Sequence, residues 1–299
     1  LKDYKLLLAI TTVSLVWGTT FLGIRIAVES IPGWFVAGFR QIIACTILVF
    51  ILLYKGELRW IGWKNLGFQV IFSLLMIVTA NGLTTIAEQH ISSSLASLIS
   101  ASSPVLVFVG SLAIGLQKFS LRSLAGILIC ILGIMFIFWD GLKDLANPDY
   151  RTGVILMFCA ITGWSLGTIF TKKITIKTTN ISLNLFYQFA FSGFFQLILA
   201  FFLEKFTPEN WTLKSISAVI YLAIFGSVTA FYAFYYALSK ISPTQISILS
   251  YINTVIAIFL GWLILDEKIS VKFIIATLLI IFGVFITNYR TNNRIKITT

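Results

Sequence analysis

"SLASLISASSPVLVF" (94–108) and "TQISILSYINTVIAI" (244–258) lie 150 residues apart, and reading one against the other decides how this chain is built. Ser97 falls on Ser247, Ser100 on Ser250, and Ser103–Pro104 on Asn253–Thr254. The same shift carries Lys118 onto Lys268, Ser120 onto Ser270 and Gly133 onto Gly283. Nearer the N-terminus a shift of 147 carries Trp17 onto Trp164, Arg25 onto Lys172 and Gln41 onto Gln188. Self-similarity at a fixed spacing marks a tandem duplication, with a three-residue insertion between the two registers. The expected units are residues 1–146 and 147–299.

Composition says what is duplicated. Hydrophobic residues make up 58% of the 299 positions and charged residues 11%, with a mean hydropathy of +0.96. That is far more apolar than a soluble domain. A membrane-spanning helix needs about 20 predominantly apolar residues. Ten such segments can be placed, at 6–26, 33–54, 66–87, 92–115, 120–139, 152–171, 181–203, 215–238, 243–265 and 270–288. The first runs past signal-peptide length with no small-x-small cleavage site, so it reads as a membrane helix. The expected fold is an all-α polytopic membrane protein of ten helices. Five helices per unit is an odd number, so the second unit must thread the bilayer in the opposite sense. Inverted-topology five-helix repeats of this kind are characteristic of secondary transporters, although some channels share them.

The net charge of +11 is scattered singly through short loops, which fits a membrane surface better than nucleic acid. Counted by side, fourteen Lys and Arg flank the termini and seven lie opposite. By the positive-inside rule both termini are expected in the cytoplasm, and the expected location is a bacterial inner membrane. Cys45, Cys130 and Cys159 all fall within apolar segments, so neither a disulfide framework nor a metal site is expected. No cofactor is expected either.

The "WG-x-x-F" of the first helix (Trp17, Gly18, Phe21) resembles the drug/metabolite transporter superfamily, specifically its EamA-type ten-helix carriers. The Ser103–Pro104 step, "DEKIS" (266–270) and the terminal "LIIFGVFI" (279–286) carry the same resemblance, which covers almost the whole chain. One departure is "GLQKFS" (115–120), where an acidic "GE-x-x-S" is replaced; it is read as a structural turn. The resemblance implies export of amino acids and other small metabolites. It also implies a cavity lined by helices one, three, four, six, eight and nine.

Within those helices the polar residues suggest which faces look inward. Trp17 with Thr20 and Trp164 with Thr168 stand at equivalent places in the two repeats, each threonine about one turn from its tryptophan. They read as cavity walls or gates, with Arg25 and Lys172–Lys173 as membrane-surface anchors. Helix three carries Asn81, Thr84, Thr85 and Glu88 on one face, and helix eight repeats that spacing with Tyr232, Tyr235, Tyr236 and Ser239. Ser93, Ser97, Ser100 and Ser103 on helix four, and Ser247, Ser250 and Thr254 on helix nine, fit either a cavity wall or a tight small-residue seam. Asn81, Asn253 and the tyrosines need partners, so cavity lining is the expectation for them. Pro104 removes a helix hydrogen bond and places a bend in helix four, a hinge or gate if it moves.

Charged residues inside the spans are few. Arg40 can snorkel outward, pair with Glu88, or meet a substrate carboxylate. His90 reads as an interfacial residue. No Asp or Glu lies deep in a span, and Glu88, at a helix end, is the one coupling candidate. The expectation is facilitated export, or coupling without a buried carboxylate.

Three functions follow for comparison. The first is an exporter of amino acids or similar amphipathic solutes, working by alternating access as a monomer or weak homodimer. A nucleotide-sugar or sugar-phosphate carrier would need several cations converging inside the bundle, and only Arg40 lies at depth. A membrane-embedded enzyme would need catalytic pairs or metal motifs that one histidine in 299 residues hardly supplies, and no catalytic residue is assigned.

Overall fold

The apolar runs become helices whose ends are set by short polar caps. A computed structural model describes residues 3–116, 119, 121–141, 146–174, 180–247 and 249–288. The repeat partners Lys118 and Ser120, the turn residue Gln117, and the surface cations Lys2, Lys143, Lys177, Arg290, Arg294 and Lys296 lie outside them. The helices are α1 (Tyr4–Ala27), α2 (Gly33–Tyr54), α3 (Trp63–His90), α4 (Ser93–Ala113), α5 (Leu121–Gly141), α6 (Pro148–Ile174), α7 (Ile181–Leu203), α8 (Leu213–Lys240), α9 (Pro243–Leu265) and α10 (Val271–Asn288). Eight of them are long and apolar enough among the described residues to cross a membrane. The chain is a polytopic helical membrane protein of two inverted five-helix repeats.

Local chemistry explains the helix ends. Gly56 follows α2 at φ 65° and Gly115 follows α4 at φ 75°, a left-handed conformation that glycine adopts without a Cβ clash. Each closes a Schellman motif: Glu57 N donates to Leu52 O at 2.9 Å, and Leu116 N to Ser111 O at 2.8 Å. The side chains at two of these ends cross between the repeats. Glu57, after α2, accepts from Asn180 Nδ2 at 2.7 Å, beside the start of α7. Its counterpart at the 147 shift, Glu204 after α7, accepts from Trp34 N at 2.9 Å and Phe35 N at 3.3 Å, at the start of α2. A carboxylate at a helix N-terminus meets unsatisfied N–H groups and the positive end of the dipole. Burial pushes the Glu204 carboxyl up from its ordinary pKa, and these N–H donors oppose the shift.

Packing interlocks the repeats. α1 lies against α8 and α9 of the second repeat, and its counterpart α6 lies against α3 and α4 of the first. α2 pairs with α7, and α5 with α10. Small residues permit these approaches, as they do between membrane helices generally. A Cβ on Gly163 would lie 2.8 Å from the Leu75 carbonyl oxygen of α3. At the α5–α10 crossing a Cβ on Gly283 would lie 2.6 Å from Gly126 O.

Two features go beyond the sequence reading. α3 is wound as a π-helix over Ser73–Gly82 and α8 over Leu222–Thr229, the same region of the third helix in each repeat. Such winding is rare and concentrates at functional sites. α4 is interrupted at Ala101–Ser102, ahead of the proline. Pro104 sits in the first turn of the half-helix Ser103–Ala113, where a missing N–H costs nothing. The Ser102 hydroxyl covers Ile99 O at 2.6 Å.

Candidate functional site

α1 and α6 are each embedded in the other repeat, so the residues at their middles meet at the centre of the bundle. The rings of Trp17 and Trp164 stand edge to face, with centroids 5.0 Å apart at 84°. Phe231 and Phe234 of α8 complete the cluster, with Phe234 5.2 Å from Trp17 and 5.0 Å from Trp164. Trp17 Nε1 donates to Gly226 O in the π-wound part of α8 at 3.1 Å. These rings rest on a buried core that includes Val13, Leu48, Leu185 and Phe189 and fills the half of the bundle nearest the chain termini. That half is closed.

On the other side of the rings lies a cavity of about 120 Å³. Trp17, Thr20, Arg40, Asn81, Thr84, Ser100, Ser103, Trp164, Thr168 and Asn253 all line it. The structure thus brings together ten of the twelve residues expected to contact substrate. Ser247 and Ser250, left open between seam and wall, also line it. Helices one, three, four, six, eight and nine contribute, and α2 adds Arg40.

The two remaining residues are elsewhere, and the expectation for them is corrected. Tyr232 is 46% exposed on the outer face of α8. Tyr235 is held in a polar cluster in the closed half, donating to Gln188 Oε1 at 2.9 Å, while Gln188 Nε2 donates to Gln69 Oε1 at 2.7 Å. The reason lies in the register. α3 and α8 match at a shift of 150, which sets Asn81 opposite Phe231 and Thr84 opposite Phe234. The inward face of α8 is therefore aromatic and apolar, and its tyrosines point to other surroundings. Phe234 was legible from that register; Phe21, Ile24, Met157, Ile161, Ile246 and Leu249, also in the apolar lining, carry no signal that separates them from ordinary core.

The polar groups divide into those already committed and those available. Thr20 and Thr168 donate to Trp17 O and Trp164 O, each at 2.8 Å, so both hydroxyl protons are spent within their own helices. With its amide oriented to satisfy its neighbours, Asn253 donates to Leu249 O and Ser14 O, each at 2.9 Å, and ties α9 to α1. Arg40 does not snorkel: it is 2% exposed. Its Nε donates to Ser227 Oγ at 2.8 Å, and its Nη1 has no hydrogen-bond partner. It is the one charged side chain among the lining residues described.

The membrane-surface anchors and the coupling candidate also differ from expectation. Arg25 Nη1 donates to the main-chain carbonyl of Glu88, and Lys172 Nζ donates to Leu238 O at 2.8 Å. These are equivalent contacts, since Glu88 and Leu238 are 150 residues apart. Both cations cap the C-terminal end of the third helix of their own repeat. Glu88 stands at the end of α3 as expected, but it is fully buried by the helices around it, so a buried carboxylate is present after all.

A pair of inverted repeats, interlocked through their first helices around a central cavity, is matched by comparison with known proteins. The model of the EamA-like transporter family matches residues 5–139 and again 151–289. The chain belongs to that family. "Uncharacterized transporter YoaV" of Bacillus subtilis (strain 168) is 25% identical over 292 residues, 97% of this chain and 99% of the relative. "Uncharacterized inner membrane transporter YedA" of Escherichia coli (strain K12) is 28% identical, covering 92% of this chain and 88% of its own. A solved crystal structure with a TM-score of 0.70 covers 96% of this chain and 98% of its own at 17% identity, and shows the same fold. This EamA-family chain is a membrane transporter. Glu267 of its "DEKIS" segment caps the start of α4 from the opposite repeat. Its Oε1 accepts from the N–H and the hydroxyl of Ser93, each at 2.8 Å, and its Oε2 accepts from Ser94 N at 3.0 Å and from the Ser94 hydroxyl.

Proposed function

We propose that this transporter moves small amphipathic solutes that carry a carboxylate, amino acids first among them, by alternating access through the central cavity. The observation that carries this reading is Arg40, a buried guanidinium lining an otherwise uncharged cavity, with its Nη1 free of any hydrogen-bond partner. A guanidinium recognises a carboxylate through charge-assisted hydrogen bonds. Phe21, Met157, Ile161 and Phe234 offer apolar contact to a side chain, and Asn81, Thr84, Ser100 and Ser103 offer polar contacts to an amine. At about 120 Å³ the cavity is below the roughly 300–1,000 Å³ of sites that hold drug-sized ligands. That size, with a single lining cation, disfavours a nucleotide sugar.

Alternating access would open the closed half by separating the Trp17–Trp164–Phe231–Phe234 cluster, with the interruption before Pro104 as the hinge. The chain would sit in a bacterial inner membrane with both termini cytoplasmic, as a monomer or weak homodimer, exporting its solute. Reconstitution in proteoliposomes tests the reading. Saturable counterflow of labelled amino acids, and none of sugars or nucleotide sugars, is the expected result. Protein that moves none of the amino acids in the panel overturns the substrate class.

A further inference from the structure

Glu88 is fully buried in the last turn of α3, and neither carboxylate oxygen has a hydrogen-bond partner. Charged groups stand on several of the elements packed against it. α1 presents Arg25, whose Nη1 is spent on the Glu88 main-chain carbonyl. α2 presents Arg40, bound through Nε to Ser227 with Nη1 unpartnered. The segment after α9 presents Glu267, occupied by Ser93 and Ser94 at the start of α4. At the junction of α3 and α6, Asp149 Oδ1 is 2.5 Å from His90 Nδ1. Arg25, Arg40 and Glu267 lie within electrostatic reach of the Glu88 carboxyl. One turn back on the same face of α3, Thr84 lines the cavity.

We propose that Glu88 carries a transported proton and that its protonation is linked to solute binding at Arg40; this rests on the reading of the cavity as a carboxylate-solute site. A buried carboxyl without donors is accommodated as a neutral acid, whereas a bare carboxylate there requires a cation. Arg25 is held to the Glu88 main chain through Nη1; Arg40 is the cation that also lines the cavity, and its Nη1 is buried without a partner. With the proton on Glu88, the guanidinium is available to the solute. When the carboxyl O–H bond breaks and the proton passes to water in the cavity, the carboxylate competes for the same guanidinium and the solute is released. Solute and proton therefore bind together and leave together, one of each, so that export runs down the solute's own gradient and carries a proton out with it.

Proteoliposomes containing wild type or Glu88→Gln, assayed for amino-acid counterflow and for accumulation driven by a pH gradient, test this. Wild type is expected to accumulate solute up to about tenfold per pH unit, the limit for one proton per solute. Glu88→Gln keeps the shape of the side chain without a titratable group. It is expected to retain counterflow while its accumulation ratio falls to about one, as for a carrier with no gradient to draw on. Counterflow in wild type that ignores the gradient overturns the coupling and leaves the cavity reading standing. Accumulation that survives in Glu88→Gln overturns the role of Glu88. Absence of counterflow in wild type overturns the cavity reading and this proposal with it. Should the variant fail to fold, the pH dependence of solute binding to wild type in detergent decides: affinity that falls about tenfold per pH unit once Glu88 loses its proton supports the linkage, and affinity independent of pH refutes it.

Discussion

Replacing Arg40 by Gln tests the carboxylate site directly, and the structure sets the size of the effect. The guanidinium offers three nitrogens. Nε is spent on Ser227 Oγ at 2.8 Å, and Nη2 faces Gly226, where an added Cβ would lie only 3.0 Å away. Nη1 alone is buried without a partner. One charge-assisted hydrogen bond is worth about 1.5–3 kcal/mol, and truncating one member of a buried charged pair costs about 2–5 kcal/mol. A loss of about 2–4 kcal/mol corresponds to a rise of roughly 30- to 1,000-fold in the half-saturation concentration. The assay is competition in counterflow, between an amino acid and the amine of the same side chain that lacks the carboxylate. Arg40→Gln is expected to weaken the amino acid by that factor and to leave the amine within about threefold, since their other contacts are shared. Ser227→Ala is the control: it strips Nε of its acceptor at a cost of about 1–3 kcal/mol in stability and leaves the preference for the carboxylate intact. Equal weakening of amino acid and amine by Arg40→Gln would show that Arg40 supports the wall rather than the ligand.

The remaining predictions concern the frame around the cavity. Trp17→Phe keeps a ring in the aromatic cluster but removes the indole N–H bond to Gly226 O, so thermal unfolding in detergent is expected to show a loss of about 1–2 kcal/mol, with counterflow retained. Gly283→Ala drives a Cβ to 2.6 Å from Gly126 O and 2.7 Å from Cys130 N, main-chain atoms that cannot swing aside. Overpacking of this kind costs about 1–3 kcal/mol, whereas Gly67→Ala in α3, with nothing within 4 Å of the new Cβ, is expected to be neutral or to stabilise by up to about 1 kcal/mol. Glu267→Ala leaves four donors at the start of α4 without their acceptor, and faster hydrogen exchange over residues 93–97 than in wild type is the expected readout.

Much of the fold was legible because the duplication is a statement about backbone. Pairs such as Trp17 with Trp164 and Gly133 with Gly283 fix two equivalent chains of helices, and an odd helix number fixes their inversion. The cavity wall was legible where a polar residue had no other reason to be inside a membrane helix, as with Arg40, Asn81 and Thr84. What sequence could not supply is what each side chain reaches. Arg25 and Lys172 read as surface anchors because both stand at helix ends, yet each folds back onto the third helix of its repeat. Glu88 stands at a helix end too, and its burial depends on α1, α2 and α6 closing over it, a property of packing and not of its neighbours in sequence. The π-winding of α3 is of the same kind. Side-chain donors supplement the backbone there, Gln196 Nε2 of α7 covering Ile77 O at 3.1 Å and Asn81 Nδ2, within the stretch itself, reaching Met76 O at 3.4 Å.

Chemistry, unlike backbone, has diverged between the repeats. At the shift that superposes α3 on α8, Asn81 and Thr84 stand where the second repeat has Phe231 and Phe234. The first pair lines the cavity, while in the second Phe231 and Phe234 both pack on Trp17 and Trp164. Spacing alone matched the polar stripe of α3 to the tyrosines of α8. The register matched it to the phenylalanines, because the face that looks inward is inherited with the backbone whether its side chains remain polar or not. An inverted repeat thus locates a site in two halves at once, and the residues that differ at equivalent positions set its polar wall apart from its aromatic one.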